Sequence, residues 1–434
     1  MRTMPSLADA DALGRPLFEL LAELFPLDRS ITGDGVRRTL ARLAERIPLT
    51  VHEVPSGTQV FDWTVPPEWN VREAWIADGA GRRVVDVRRS NLHLVQYSVP
   101  VRARLPLAAL RRHLHSLPEF PERVPYRTSY YTPTWGFCLA HRDLVALPDG
   151  EYEVCIDATL APGALTYGEC VLPGETDDEV LISTHVCHPS LANDNLSGVV
   201  VATGLAERLA ARRRRYGYRF VFVPGTIGAI TWLARNEARV DHIRHGLVLA
   251  GVGDPGVFTY KRSRRGDAEI DRVAVHVLRV LGATHRVEDF SPYGYDERQY
   301  CSPGFDLPVG CLMRTPHGRY PEHHTSADDL TFVRPERLGE SLALALAIVD
   351  TLEANRRYLS QNPKGEPQLG RRGLYRSVGG AAGGPEELAL LWVLNLADGR
   401  HTLLDMAARS GVAFQHLERA ARTLCEHGLL KETA

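Results

Sequence analysis

Apolar residues spaced three and four apart from Pro16 to Phe25, and again from Gly35 to Ile47, predict two helices that open the fold around the polar turn Asp28-Arg29-Ser30-Ile31-Thr32-Gly33. The period then changes. From Val51 to about Pro148 come short β-branched and aromatic runs broken by prolines, with one helix-like piece at Leu107 to Leu117, which predicts a mainly β insertion. From Tyr152 onward, strand-like runs (Glu179 to Thr184, Tyr218 to Pro224, Gly246 to Val252) alternate with longer periodic segments (Gly198 to Ala211, and one through Trp232). That alternation predicts an α/β domain, a sheet with helices packed on it, whose chemistry sits at the carboxyl ends of the strands. Asn362 to Gly384 has the glycine-rich composition of a linker. Beyond it, Pro385 to Leu396, Thr402 to Ser410 and Phe414 to His427 read as three helices, followed by a short strand at Leu429-Leu430-Lys431, the outline of a winged helix. The expected organisation is one domain from residues 1–50 and 151–361, an insertion at 51–150 and a terminal module at 385–434.

Charge removes several function classes. The 434 residues carry 51 basic and 53 acidic side chains, so nothing global draws the chain to nucleic acid or membrane. Within the terminal module five Lys or Arg face seven Asp or Glu. A nucleic-acid reader presents a basic face, so contact with protein, or homo-oligomer formation through this module, is the expected use. The four arginines at 212–215 close a predicted helix, where cations complement its dipole. Seven cysteines without a Cys-x-x-Cys pair read as reduced thiols. Met1 to Ser6 lacks an apolar signal core and Leu342 to Val349 is too short to span a bilayer, so the expected compartment is the cytoplasm. Gly251-Val252-Gly253-Asp254-Pro255-Gly256 formally matches a dinucleotide-binding loop, but Pro255 and the β-leaning residues after it open no helix, and Asp254 would face the pyrophosphate with like charge.

Candidate chemistry gathers in three places. Val180 to Thr184 reads as a buried strand, which puts His185 at its carboxyl end and His188 and Asp194 in the loop beyond. Imidazole nitrogens and a carboxylate oxygen are what a borderline-soft dication takes. Asp194 precedes Leu196-Ser197-Gly198, where a helix begins, and backbone N–H groups there keep a carboxylate ionised. Far downstream, Tyr320 to Asp328 holds His323 and His324; His324 is the candidate ligand, with Asp328 placed to orient it. Between them, Tyr295-Asp296-Glu297-Arg298 supplies Asp296 and Glu297 as candidate catalytic residues.

Those segments resemble the zinc exopeptidase superfamily (M28 type) that contains the bacterial leucyl aminopeptidases. Leu27 to Gly33, Ser129-Tyr130-Tyr131 and Trp135-Gly136-Phe137-Cys138 are similar, more closely, to the DUF4910 aminopeptidase-like proteins, which often carry a polysaccharide-biosynthesis label. The resemblance covers nearly the whole chain. It implies a phosphorylase/peptidase-like α/β/α sandwich with a mixed sheet, a mainly β insertion and a C-terminal winged-helix module. It implies one or two zinc ions on His185, Asp194 and His324, with His188 competing with His185 and with Asp254 as a further ligand, and the residue set of this chain fits one ion better than two. The superfamily follows one strand with paired glutamates, the first a general base and the second a ligand. Here Gly225 and Thr226 stand in those places. Two readings follow: a metal-dependent hydrolase of a peptide or amide bond in a small substrate, with another carboxylate such as Glu297 or Glu322 as base, or a metal-binding pseudo-peptidase acting as a binding or assembly protein.

Overall fold

A computed structural model describes residues 7–282, 284–374 and 385–433. The chain divides into a larger compact unit, residues 4–346, and a smaller one that includes residues 347–434.

The larger unit opens with helices α1 (Leu7–Leu24) and α2 (Asp34–Ala44). α1 begins well before the expected start and carries Pro16 inside it. Its buried residues Ala10, Leu17, Leu20, Leu21 and Leu24 form one stripe that spans the proline, so burial of that face outweighs the local break. The central sheet has eight strands, β1 (Leu49–Pro55), β2 (Ala164–Leu172), β3 (Glu179–His185), β4 (Gly217–Val223), β5 (Ile243–Leu249), β6 (Phe258–Lys261), β7 (His285–Glu288) and β8 (Val309–Met313), in the order β1-β2-β4-β3-β5-β8-β6-β7. The sheet is mixed. β4, β3, β5 and β8 run parallel, whereas β1, β2 and the β8–β6 pair are antiparallel. Every residue of β3 and β4 is buried, as a central strand covered on both faces requires. Register pairs His185 with Val223 and Ser183 with Val248, so the loops after β3, β4 and β5 leave the same edge of the sheet. Helices α3 (Gly198–Ala210) and α4 (Ile227–Asn236) follow the first two of those loops.

The insertion carries a four-stranded antiparallel sheet ordered Arg83–Asp86, Glu68–Ala77, Glu151–Ala161, Val101–Pro106. Its bounds differ from 51–150: Leu49–Pro55 belongs to the central sheet and Glu151–Ala161 to the inserted one. Both segments are β-branched and alternate similarly, so only their long-range partners separate them. At the junction Arg37 of α2 grips Glu68 with two hydrogen bonds, 2.6 and 2.7 Å.

In the smaller unit, helices Pro385–Leu396, Leu403–Ser410 and Phe414–Glu426 accompany a three-stranded antiparallel sheet of Asp398–Thr402, Arg357–Ser360 and Leu430–Thr433. Thr402 and Asp405 cap the middle helix reciprocally. The central strand, Arg357–Ser360, lies outside the 385–434 bounds, because a four-residue strand leaves little sequence pattern. Residues 375–384 of the expected linker, and Met1–Ser6, lie outside the described residues. No helix among the described residues is long and apolar enough to cross a membrane. All seven cysteines are unpaired.

Candidate metal centre

β3 delivers His185, 4% exposed, to the edge of the sheet, where the chain turns back through Ala192–Ser197 into α3. Asparagines staple this turn to the loop after β5. The Asn195 amide donates to Thr184 Oγ1 (2.8 Å) and its oxygen accepts from Gly251 N (3.0 Å), while Asn193 Oδ1 accepts from Gly253 N (2.8 Å). Gly198 is required by close approach, since a Cβ there would lie 2.3 Å from the Leu249 carbonyl oxygen. These contacts fix Asp194, 1% exposed, against His185.

Four imidazoles converge on that carboxylate. His185 Nε2 stands 2.8 Å from Oδ1; His324, His323 and His188 place Nε2 3.0, 3.4 and 4.0 Å from Oδ2. His185, His188 and Asp194 form one group able to hold a cation, and Asp194, His323 and His324 form another, each with its donor atoms within 4.8 Å. Burial alone would raise the Asp194 carboxyl, but the neighbouring His188 and hydrogen bonds from His185, His323 and His324 hold it well below its usual range. Burial, with the neighbouring imidazoles, pushes His188 well below the ordinary histidine value against the pull of Asp194. An ionised carboxylate and a neutral imidazole are the states a dication needs, so these residues fit a zinc ion.

Two expected residues lie elsewhere. Asp254 is outside both groups: its oxygens accept from Gly256 N (2.7 Å), Thr315 Oγ1 (2.7 Å), Thr315 N (3.1 Å) and Asn193 Nδ2 (3.1 Å), which makes it a loop brace with its lone pairs engaged. Asp328, expected to orient His324, instead accepts from the backbone of Asn193 (2.6 Å) and Asp194 (2.9 Å), and burial pushes its carboxyl up to about 8. It positions the other ligand loop. His323, the other half of the histidine pair, joins His324 at Asp194 although adjacent side chains in extended backbone ordinarily point apart.

The loop after β4 is bare. A Cβ on Gly225 would sit 3.4 Å from Cys187 Sγ and 3.7 Å from His185 Cβ, so a side chain there would start beside His185. Thr226, at φ +61°, donates its N–H to Asp296 Oδ1 (2.7 Å), whose Oδ2 is buried without a partner. Burial raises the Asp296 carboxyl, partly offset by His185. Glu297 is ion-paired with Lys261 at 2.7 Å, and Glu322 faces Arg123 at 3.6 Å. Tyr295 stacks on His185, ring centroids 5.3 Å apart. The insertion closes the other side: Tyr126 lies 5.1 Å from His188 and 5.0 Å from His324 by ring centroids, and its N–H donates to the His324 carbonyl (2.8 Å).

Residues 18–355 match the family model described as a domain of unknown function, DUF4910, and residues 356–432 match a winged helix-turn-helix model. The chain belongs to the DUF4910 family. A Clostridium acetobutylicum protein named for polysaccharide biosynthesis and an aminopeptidase-like domain is 48% identical over 419 residues, 96% of each chain. A crystal structure of a candidate peptidase from the same organism superposes on this DUF4910 protein with a TM-score of 0.93 at 46% identity, covering 98% of both chains. The zinc aminopeptidase of Bacillus subtilis superposes with a TM-score of 0.59 at 14% identity, over 81% of this chain and 96% of that one. Residues outside the winged helix therefore have the fold of the M28 zinc aminopeptidases.

Proposed function

We propose that this DUF4910 protein is a metal-dependent, aminopeptidase-like hydrolase of a peptide or amide bond in a small substrate, working in the cytoplasm on one zinc ion. The observation that carries the reading is the convergence of His185, His188 and His324 on the buried Asp194 at the carboxyl ends of parallel strands. These residues would hold the ion, which when bound supplies a Lewis acid to polarise the scissile carbonyl. The chain's own part is to move the proton. Asp296, held to the bare Gly225 loop through Thr226 N, keeps a buried oxygen without a partner; Glu297 keeps one as well, with its other oxygen paired to Lys261. In this reading Asp296 Oδ2 takes a proton from water as its oxygen attacks the carbonyl carbon, and returns it to the amine as the C–N bond breaks. Tyr295, stacked on His185, holds that ring in place and helps exclude water. The winged helix, with its net negative composition, serves protein contact or self-association.

Zinc-loaded protein would be assayed for release of amino acids from short peptides and aminoacyl amides, beside His324→Ala and Asp296→Asn. Turnover lost in both variants supports the hydrolase. Stoichiometric zinc with no turnover on any member of the panel overturns it and favours the second reading, a metal-holding binding protein, whose supporting observation is the missing side chain at Gly225.

A further inference from the structure

We infer that His323 is a ligand of the same centre, which makes it an imidazole-dominated site selective for late first-row dications such as zinc, cobalt and nickel over manganese and magnesium. The inference rests on the metal-dependent reading above, but concerns which ion is held and by what.

Consecutive side chains in extended backbone point to opposite sides, so two adjacent histidines do not ordinarily reach one atom. Here they do. The rings of His323 and His324 stack with centroids 4.0 Å apart and planes 12° from parallel, and both Nε2 atoms approach the same oxygen, Asp194 Oδ2, at 3.4 and 3.0 Å. The turn that brings them together puts His324 at φ +54°, a left-handed conformation that a non-glycine residue adopts only when its surroundings impose it. The insertion imposes it: Tyr126 N donates to the His324 carbonyl (2.8 Å), Ser326 N to the Val124 carbonyl (2.8 Å) and Val124 N to Ser326 Oγ (3.0 Å). A strained, clamped turn that aims two imidazoles at one buried carboxylate is built to bind.

The donor count follows. The two cation-holding groups among the described residues contain four histidines and one carboxylate, Asp194. Thr226 stands where the resemblance expects a ligand carboxylate, and its N–H is engaged by Asp296, so that loop offers no side-chain carboxylate, while His323 adds a nitrogen donor from the 320–328 loop. Magnesium and manganese favour oxygen-rich sets, whereas imidazole nitrogens favour zinc, cobalt and nickel.

The test uses full-length protein stripped by chelation and titrated with zinc, cobalt, manganese and magnesium, with the visible absorption of the cobalt form as a second readout. Wild type is expected to bind about one zinc ion per chain, roughly 100-fold or more tighter than manganese. His323→Ala weakens zinc about 10- to 100-fold and shifts the cobalt spectrum. His317→Ala, whose ring lies 6.4 Å from His323 outside both groups, leaves both readouts unchanged. Should the alanine variant unfold, His323→Asp adds a second carboxylate and narrows the zinc-to-manganese ratio about tenfold or more. An alanine variant with wild-type zinc affinity and cobalt spectrum overturns the inference, as does manganese bound as tightly as zinc. Because these readouts need no turnover, a protein that meets them yet hydrolyses nothing sinks the hydrolase reading alone.

Discussion

The loops after β3 and β4 leave the sheet side by side, from strands paired in register to their last residues, yet they are opposites in content. The first carries His185, His188 and Asp194 within a web of hydrogen bonds made by Asn193 and Asn195 and accepted in part by Asp328. The second offers Gly225 and Thr226 and takes its carboxylate from Asp296, on a distant segment. In the proposed reading, holding an ion and moving a proton fall to separate pieces of chain, and a change in one need not disturb the other.

The largest expected effect strikes the loaded loop. Asp194→Asn removes the only charge that four imidazoles share, so zinc is lost on dialysis and any turnover falls by roughly 10³ or more; metal analysis and rate assays check both. Retained zinc would break the contrast between the loops. Asp296→Asn comes next: turnover should fall about 10²- to 10⁴-fold with zinc content unchanged, and an unaltered rate would show that the bare loop borrows nothing. Gly225→Glu tests the same side by gain. The backbone at 225 is not left-handed and the nearest atoms to a Cβ lie at ordinary contact distance, so the side chain is tolerated. It should raise turnover roughly tenfold or more in wild type and restore part of it in Asp296→Asn.

The smallest effect lies at the root of the insertion. Arg37 holds the Glu68 carboxyl at about 2, through hydrogen bonds that outweigh its burial. Because the folded-state value is depressed, the pair contributes stability above the ordinary value near 4.5, and that contribution is lost as pH falls toward 2. With the two side chains 29% and 15% exposed, it is worth about 3 kcal/mol at most. Urea melts of wild type and Glu68→Gln should differ most near pH 6 and converge in acid; a gap independent of pH would mean packing, not charge, sets it.

Much of this was legible in the sequence, for identifiable reasons. A strand-like run ending in histidine, followed nine residues later by an aspartate at a helix start, marks His185 and Asp194 by local pattern alone. His324 was found by resemblance to a motif. Asp254 lies outside both groups, and sequence spacing cannot reveal that Thr315, Gly256 and Asn193 occupy its oxygens. The approach of His323 to Asp194 depends on one backbone angle that no pattern reveals, and the strand bounds of the insertion depend on partners 45 to 121 residues away.

The inserted sheet looks detachable on a strand diagram, a side lobe that could be trimmed to leave a minimal peptidase-like core. The clamp from Val124 and Tyr126 onto His324 and Ser326 denies that modularity. Excising the lobe would release the turn that aims two histidines, so a shortened protein would keep its central sheet and forfeit its grip on metal. Conversely, chelation should loosen the lobe, exposing it to proteases that the loaded protein resists.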